Sequence, residues 1–238
     1  MRLKSQYNDA IKALKVLGVE QLVPSFEEIK QTMPKTQPKG TRLVITPAIG
    51  ETLSFMELVA RFDQKQAFES YIYRELWEKY DLSAPMKVSL AYEEPMFFNQ
   101  TFSEQVQSVA KHKADSMTPA EYVMLSAIRR ENNQEPLDKT TYRRFTCLNY
   151  MTVDGDSVVG RVGSNDGRLK LSWDFGGGAG SSSGVGLSVG LKPYSLVLTP
   201  SSKTNDCSSA NKVLQTILDA EYKRGWNDAL DNMPKRLN

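Results

Sequence analysis

Side chains that hold metals are scarce in this chain: 238 residues carry one histidine, His112, and two cysteines, Cys147 and Cys207. A structural zinc site takes four Cys or His ligands, so that class is set aside, and no cofactor is expected. Two cysteines build no disulfide framework, although a single bridge between them stays open, and they fit a reducing compartment. An excess of one charge is also lacking. Lysine and arginine total 30 against 28 acidic residues, for a net charge of +2. A field that weak argues against nucleic acid as the partner.

Long apolar runs are missing as well. Nothing approaches the roughly 18 apolar residues that a membrane span needs, and the start, Met1-Arg-Leu-Lys-Ser5, has no signal-peptide core. The expectation is a protein with no membrane partner, located in the cytoplasm or in a phage particle. No internal repeat recurs at a fixed period, which disfavours solenoids and propellers.

What is present is a folding composition, 40% hydrophobic, with clear punctuation. Tyr7, Ala10, Ile11, Leu14 and Leu17 form a helical stripe that Gly18 stops. Ser25-Phe-Glu-Glu28, Ser54-Phe-Met-Glu57, Thr101-Phe-Ser-Glu104 and Thr118-Pro-Ala-Glu121 each read as a helix start, the last predicting a helix to about Arg130. Residues 33 to 40, rich in Pro and Lys, read as a linker, so 1–39 is expected to be a helical arm and linker. Arg42–Thr46 and Met86–Tyr92 read as strands, and two helices are expected between 54 and 80, where Phe68, Ile72, Leu76, Trp77 and Tyr80 recur at helical intervals. After Pro136 short apolar segments at 145–151, 157–162, 168–173, 185–191 and 194–198 alternate with turn residues, which signals an antiparallel β region. From Ser208 an apolar face of Val213, Leu214, Ile217, Leu218, Tyr222, Trp226 and Leu230 predicts an amphipathic helix across 201–238 that must dock on its own domain or on a partner.

The glycines concentrate in "GRLKLSWDFGGGAGSSSGVGLSVGL", Gly167 to Leu191. A P-loop needs a lysine after its last glycine and this cluster has none; a dinucleotide fingerprint needs a third glycine where serine stands. With strand-like flanks on both sides, Gly176–Gly184 reads as a hairpin or loop within the β region. His112, in Lys111-His-Lys113, reads as a solvated helix-end residue, since no nucleophile pattern accompanies it. Asp154-Gly-Asp156 is first a tight-turn signal, with a carboxylate cation site as the alternative. Arg129-Arg130 and Arg143-Arg144 flank an α-to-β connection, where complementing a helix dipole is the plainer reading than binding phosphate.

The segment "MTPAEYVMLSAIRRENNQEPLDKTTYRRF", with its Leu137-Asp138-Lys-Thr-Thr141-Tyr142 turn, resembles the C-type-lectin-fold proteins of phages and bacteria. These include the variable proteins of diversity-generating retroelements and relatives of formylglycine-generating-enzyme type. "GTRLVITPAIGETLSFMELVARF" resembles the strand and helix that open that fold, and "GRLKLSWDF…GVGLSVGL" its closing strands. The resemblance covers about 40–200 and departs from the family pattern at Leu187-Ser188. It implies an α+β, C-type-lectin-like domain with helices ahead of a C-terminal antiparallel β region. It also implies a binding face of loops and outward strand positions: Tyr150, Thr152, Arg161, Ser164, Asn165, Asp166, Ser172, Asp174, Phe175, Ser181, Ser182 and Ser183, with Leu171 and Trp173 in the core. The plainer reading of each polar residue is a solvated sheet face.

The leading expectation is a non-enzymatic ligand-binding or display protein for a protein or carbohydrate ligand. The alternative is a structural component of a phage, plasmid or secretion machine, a homo-oligomer built through its terminal helices with Leu218, Tyr222 and Trp226 at the interface. A third reading is an enzyme working through loop carboxylates such as Asp154, Asp156, Asp166 or Asp174.

Overall fold

The computed structural model describes residues 3–19, 23–62, 67–68, 77, 82–98, 100–112, 114–138, 142–151, 157–165, 168–175, 185–187 and 189–191. Along them run α1 (Leu3–Val16), α2 (Phe26–Thr32), β1 (Thr41–Thr46), α3 (Phe55–Phe62), β2 (Ala67–Phe68), β3 (Lys87–Tyr92) and α4 (Phe102–Lys111). There follow β4 (Ala114–Ser116), α5 (Pro119–Glu131), β5 (Tyr142–Met151), β6 (Ser157–Asn165), β7 (Arg168–Phe175), β8 (Val185–Leu187) and β9 (Val189–Leu191). The class is α+β. No helix among the described residues is long and apolar enough to cross a membrane. The amphipathic segment expected at 201–238, with Leu218, Tyr222 and Trp226, lies outside the described residues.

The helices begin where cap chemistry starts them. Ser25, Thr101 and Thr118 each accept from the backbone amide three residues on, and Glu28, Glu104 and Glu121 each reach back to the cap amide. At α3 only half of that exchange forms: Ser54 Oγ accepts from Glu57 N at 3.1 Å, while the Glu57 carboxylate pairs with Arg61 at 2.8 Å. Glu121 does more than cap. It is 1% exposed, accepts from Ser89 Oγ at 2.5 Å and pairs with Lys87 at 3.1 Å, so it fastens the start of α5 to β3.

The helix ends are joined in a cycle. Gly18, at φ +63, ends α1 with the paired Val19 N to Leu14 O and Gly18 N to Lys15 O bonds that a left-handed residue permits. Arg61 from α3 then donates to Gly18 O at 2.6 Å, Arg130 from α5 donates to Phe62 O at the end of α3, and Lys12 from α1 donates to Glu131 O at 3.1 Å at the end of α5. Each of these three helices lends a cation to the negative C-terminal end of another.

Two sheets form, ordered β1-β3-β9-β4 and β2-β7-β6-β5-β8. β1 is buried at all six positions, packed against α1 and α5. Its free edge is met by side chains: Gln6 Oε1 on α1 accepts from Leu43 N at 3.1 Å and from Gln37 Nε2 at 2.9 Å, and Gln37 Nε2 also donates to Thr41 O at 2.7 Å. Two glutamines thus occupy an edge where another strand could add.

The tertiary structure departs from the sequence reading at two places. Phe68, expected at helical spacing within 54–80, instead forms β2 with Ala67 and is the Cα partner of Leu171, parallel to β7. The apolar run 185–191, expected as one strand, divides between the sheets: β8 runs parallel to β5, while β9 pairs with β3 and β4. The common reason is that a two- or three-residue strand is selected by the edge it meets rather than by its own pattern. Gly176–Gly184, expected as a hairpin or loop, lie outside the described residues. Within 1–39, Ala10, Ala13 and Leu14 of α1 and Ile29 of α2 belong to the same hydrophobic core as β1, α3 and α5.

Replacing Gln6 with Ala strands the Leu43 amide, and an unpaired buried donor costs about 1–3 kcal/mol. Urea unfolding should show that loss, with faster hydrogen exchange at Leu43. Hydrogen bonds to the Ser25 side chain and then its amide lower the Glu28 carboxyl from the ordinary 4.5, and those to the Thr101 amide and then its hydroxyl lower Glu104 likewise. A carboxyl lowered on folding contributes stability above its unfolded pKa and loses it as pH falls through the folded one. NMR titration should therefore place both midpoints below 4.5, and Ser25→Ala should move that of Glu28 back toward it.

Candidate functional site

The β5–β6–β7 ladder holds seven of the positions expected to bind. Its register sets Arg161 opposite Ser172, Val159 opposite Asp174 and Asn165 opposite Arg168. Directly paired residues share a face, and successive residues alternate. Leu169 and Leu171 are buried, so Arg161, Asn165, Ser172 and Asp174 take positions on the opposite face. Ser164, opposite Leu169, and Phe175, two residues beyond Trp173, take positions on the leucine side, and Tyr150 joins them through its pairing with Val158. The ladder therefore separates the expected site into two groups. Thr152, Asp166 and Ser181–Ser183 lie outside the described residues.

The polar face is bounded on one side. Arg144 is the Cα partner of Arg161, and its guanidinium is buried, donating to Gln105 Oε1 of α4 at 3.2 Å. Helix α4 thus meets β5 through Arg144.

Behind the ladder lies a constellation around Arg143, which the sequence reading assigned to complementing a helix dipole. Arg143 is 0% exposed. Its Nε donates to Asp138 Oδ2 at 2.6 Å, its Nη1 to Tyr92 O at 3.0 Å and its Nη2 to Glu93 O, while its guanidinium lies 5.6 Å from the Tyr122 ring centre. Glu93 gathers two more cations, with Oε1 at 3.0 Å from Arg42 Nε and 3.2 Å from Arg129 Nη1. Arg143 and Phe145 alternate with Arg144 along β5, and both are buried on the side of Tyr122, whose ring meets Phe145 edge-on. The signal available in the sequence was that alternation beside the Asp138 turn. Burial pushes the Tyr122 phenol well above its usual 10.0, with the Asp138 charge adding to the shift and Arg143 opposing it. The Arg143 guanidinium, met on each of its nitrogens, braces the fold.

The remaining candidates fall into place locally. His112 is exposed at the end of α4, with Nδ1 at 2.7 Å from Ser108 O, a contact that only a protonated Nδ1 satisfies. Arg129 and Arg130, in the last turn of α5 and expected to complement that helix, are spent elsewhere: Arg129 on Glu135 O and Glu93, Arg130 on Phe62 O at the end of α3. Asp154 and Asp156 lie outside the described residues. No group of three or more His, Cys, Asp or Glu that could hold a metal occurs among the described residues.

The fold defines an α+β protein with a β5–β6–β7 ladder packed on a buried core. No family model, curated protein or solved structure matches the chain.

Arg143→Ala leaves Asp138 buried without its cation and should cost about 3–5 kcal/mol in urea unfolding, with Arg143→Lys failing to restore it because one ammonium cannot serve three acceptors in a fork. Because the Tyr122 pKa is raised on folding, its contribution is whole below about pH 10 and falls as pH climbs beyond that. Tyr122→Phe should therefore gain stability relative to the parent between pH 9 and about 11 by the same measurement.

Proposed function

We propose that this protein is a non-enzymatic ligand-binding protein of C-type-lectin-like fold, displaying the β6–β7 face to a protein or carbohydrate ligand. The observation that carries the reading is the register that gathers Arg161, Asn165, Ser172 and Asp174 on the face opposite the buried Leu169 and Leu171. A cation, an amide, a hydroxyl and a carboxylate on adjacent strands offer donors and acceptors together, the mixture that polar ligand recognition uses. A strand ladder suits the task because it holds positions more firmly than loops do. The order of α5 followed by an antiparallel ladder supports the lectin-like reading, as do the Thr118–Phe145 and Gly167–Leu191 motifs. On this reading the core tolerates change at the face, and the face decides the ligand.

The test is binding of the full chain to glycan and peptide arrays, repeated with Arg161→Ala, Ser172→Ala and Asp174→Ala. Each substitution should keep the melting temperature close to the parent's and lower capture of the bound array member by about tenfold, the worth of one to two hydrogen bonds. An array signal that all three variants leave untouched removes the face from the function.

A further inference from the structure

A second site lies on the opposite side of the ladder, in the core. Phe62, Tyr122, Ser126, Gln134, Leu137 and Leu169 are among the residues that line a cavity of about 130 Å³, with Arg130 at its exposed rim. Its walls are mostly apolar, yet two polar atoms in them are buried and unpartnered among the described residues: the Tyr122 hydroxyl and Gln134 Oε1. Asp138 and Ser126 stand close enough to that hydroxyl to act on its titration as weak hydrogen-bond partners, yet the contacts fall short of hydrogen-bond distance or angle. Buried polar atoms without partners are rare in folded proteins, and two in one small cavity ask for an occupant.

The chemistry of the walls narrows that occupant. The phenol offers a donor, and Gln134 Oε1 asks for one. Among the described residues no free charge faces the space: Arg143 and Asp138 are spent on each other, and the Arg130 guanidinium is stacked 4.3 Å over the Phe62 ring while donating to Phe62 O. A charged ligand would lose its hydration without gaining a counter-ion. The size admits one ring, since an apolar cavity of about 150 Å³ accepts benzene. We propose that this cavity binds an uncharged single-ring amide or lactam, its ring among Phe62, Leu137 and Leu169, its carbonyl accepting from Tyr122 and its N–H donating to Gln134.

The probes are 2-pyridone, which carries both groups on one ring, and toluene, which carries neither. Thermal shift and titration calorimetry on the full chain should show 2-pyridone binding and raising the melting temperature more than toluene does. Tyr122→Phe removes an oxygen that bonds nothing in the fold, so the variant should fold and bind 2-pyridone about tenfold more weakly, with toluene binding no worse. Gln134→Leu, at a half-buried position, should weaken 2-pyridone in the same way. Toluene equalling 2-pyridone in the parent, or 2-pyridone binding unchanged in both variants, overturns the assignment. Binding of neither probe shows a cavity that holds water only and overturns the site. The proposed strand face is read by array capture, so either site can fail without the other.

Discussion

A single buried guanidinium holds the two halves of the molecule together. Arg143 belongs to the five-stranded sheet, its two carbonyl acceptors stand at the end of β3 in the four-stranded sheet, and its carboxylate partner sits in the connection between α5 and β5. Burying a cation is costly unless every donor finds an acceptor, and here the planar fork is met on each of its three nitrogens. The geometry ties three separate chain segments to one point. It also explains why Asp138 adopts φ 52: the turn must bring a carboxylate to a place fixed from elsewhere.

Around that point the polar bonds share a pattern, in which side chains from one element finish the backbone of another. Gln6 and Gln37 complete the edge of β1; Arg61, Arg130 and Lys12 complete the ends of α1, α3 and α5 in turn. Helix ends and sheet edges are where unpaired amides and carbonyls collect, so these are the positions where long polar side chains repay their ordering. The buried side of the ladder is packed by Arg143, Phe145, Leu169 and Leu171.

Much of the helical part could be read directly, because capping depends on neighbours three residues apart. Ser25, Thr101 and Thr118 each stand where their glutamates complete the exchange, and the helix from Thr118 ends within one residue of the expected Arg130. The site was legible only in part. Alternation along β7 identified Leu171 as core, but the division of Arg161, Asn165, Ser172 and Asp174 from Tyr150, Ser164 and Phe175 required the β6–β7 and β5–β6 registers. Arg143 was read as complementing a helix dipole because its acceptors, Tyr92 O and Glu93 O, are backbone groups 51 and 50 residues away that no side-chain pattern announces.

By itself the sequence determined the α+β class, the helix starts and the buried strand Thr41–Thr46, all of which rest on interactions within a few residues. The tertiary structure decided how 185–191 divides between two sheets, why Phe68 is extended, and that two orphaned polar atoms share one cavity. Those outcomes depend on edges, registers and leftover space, which exist only after distant segments have met.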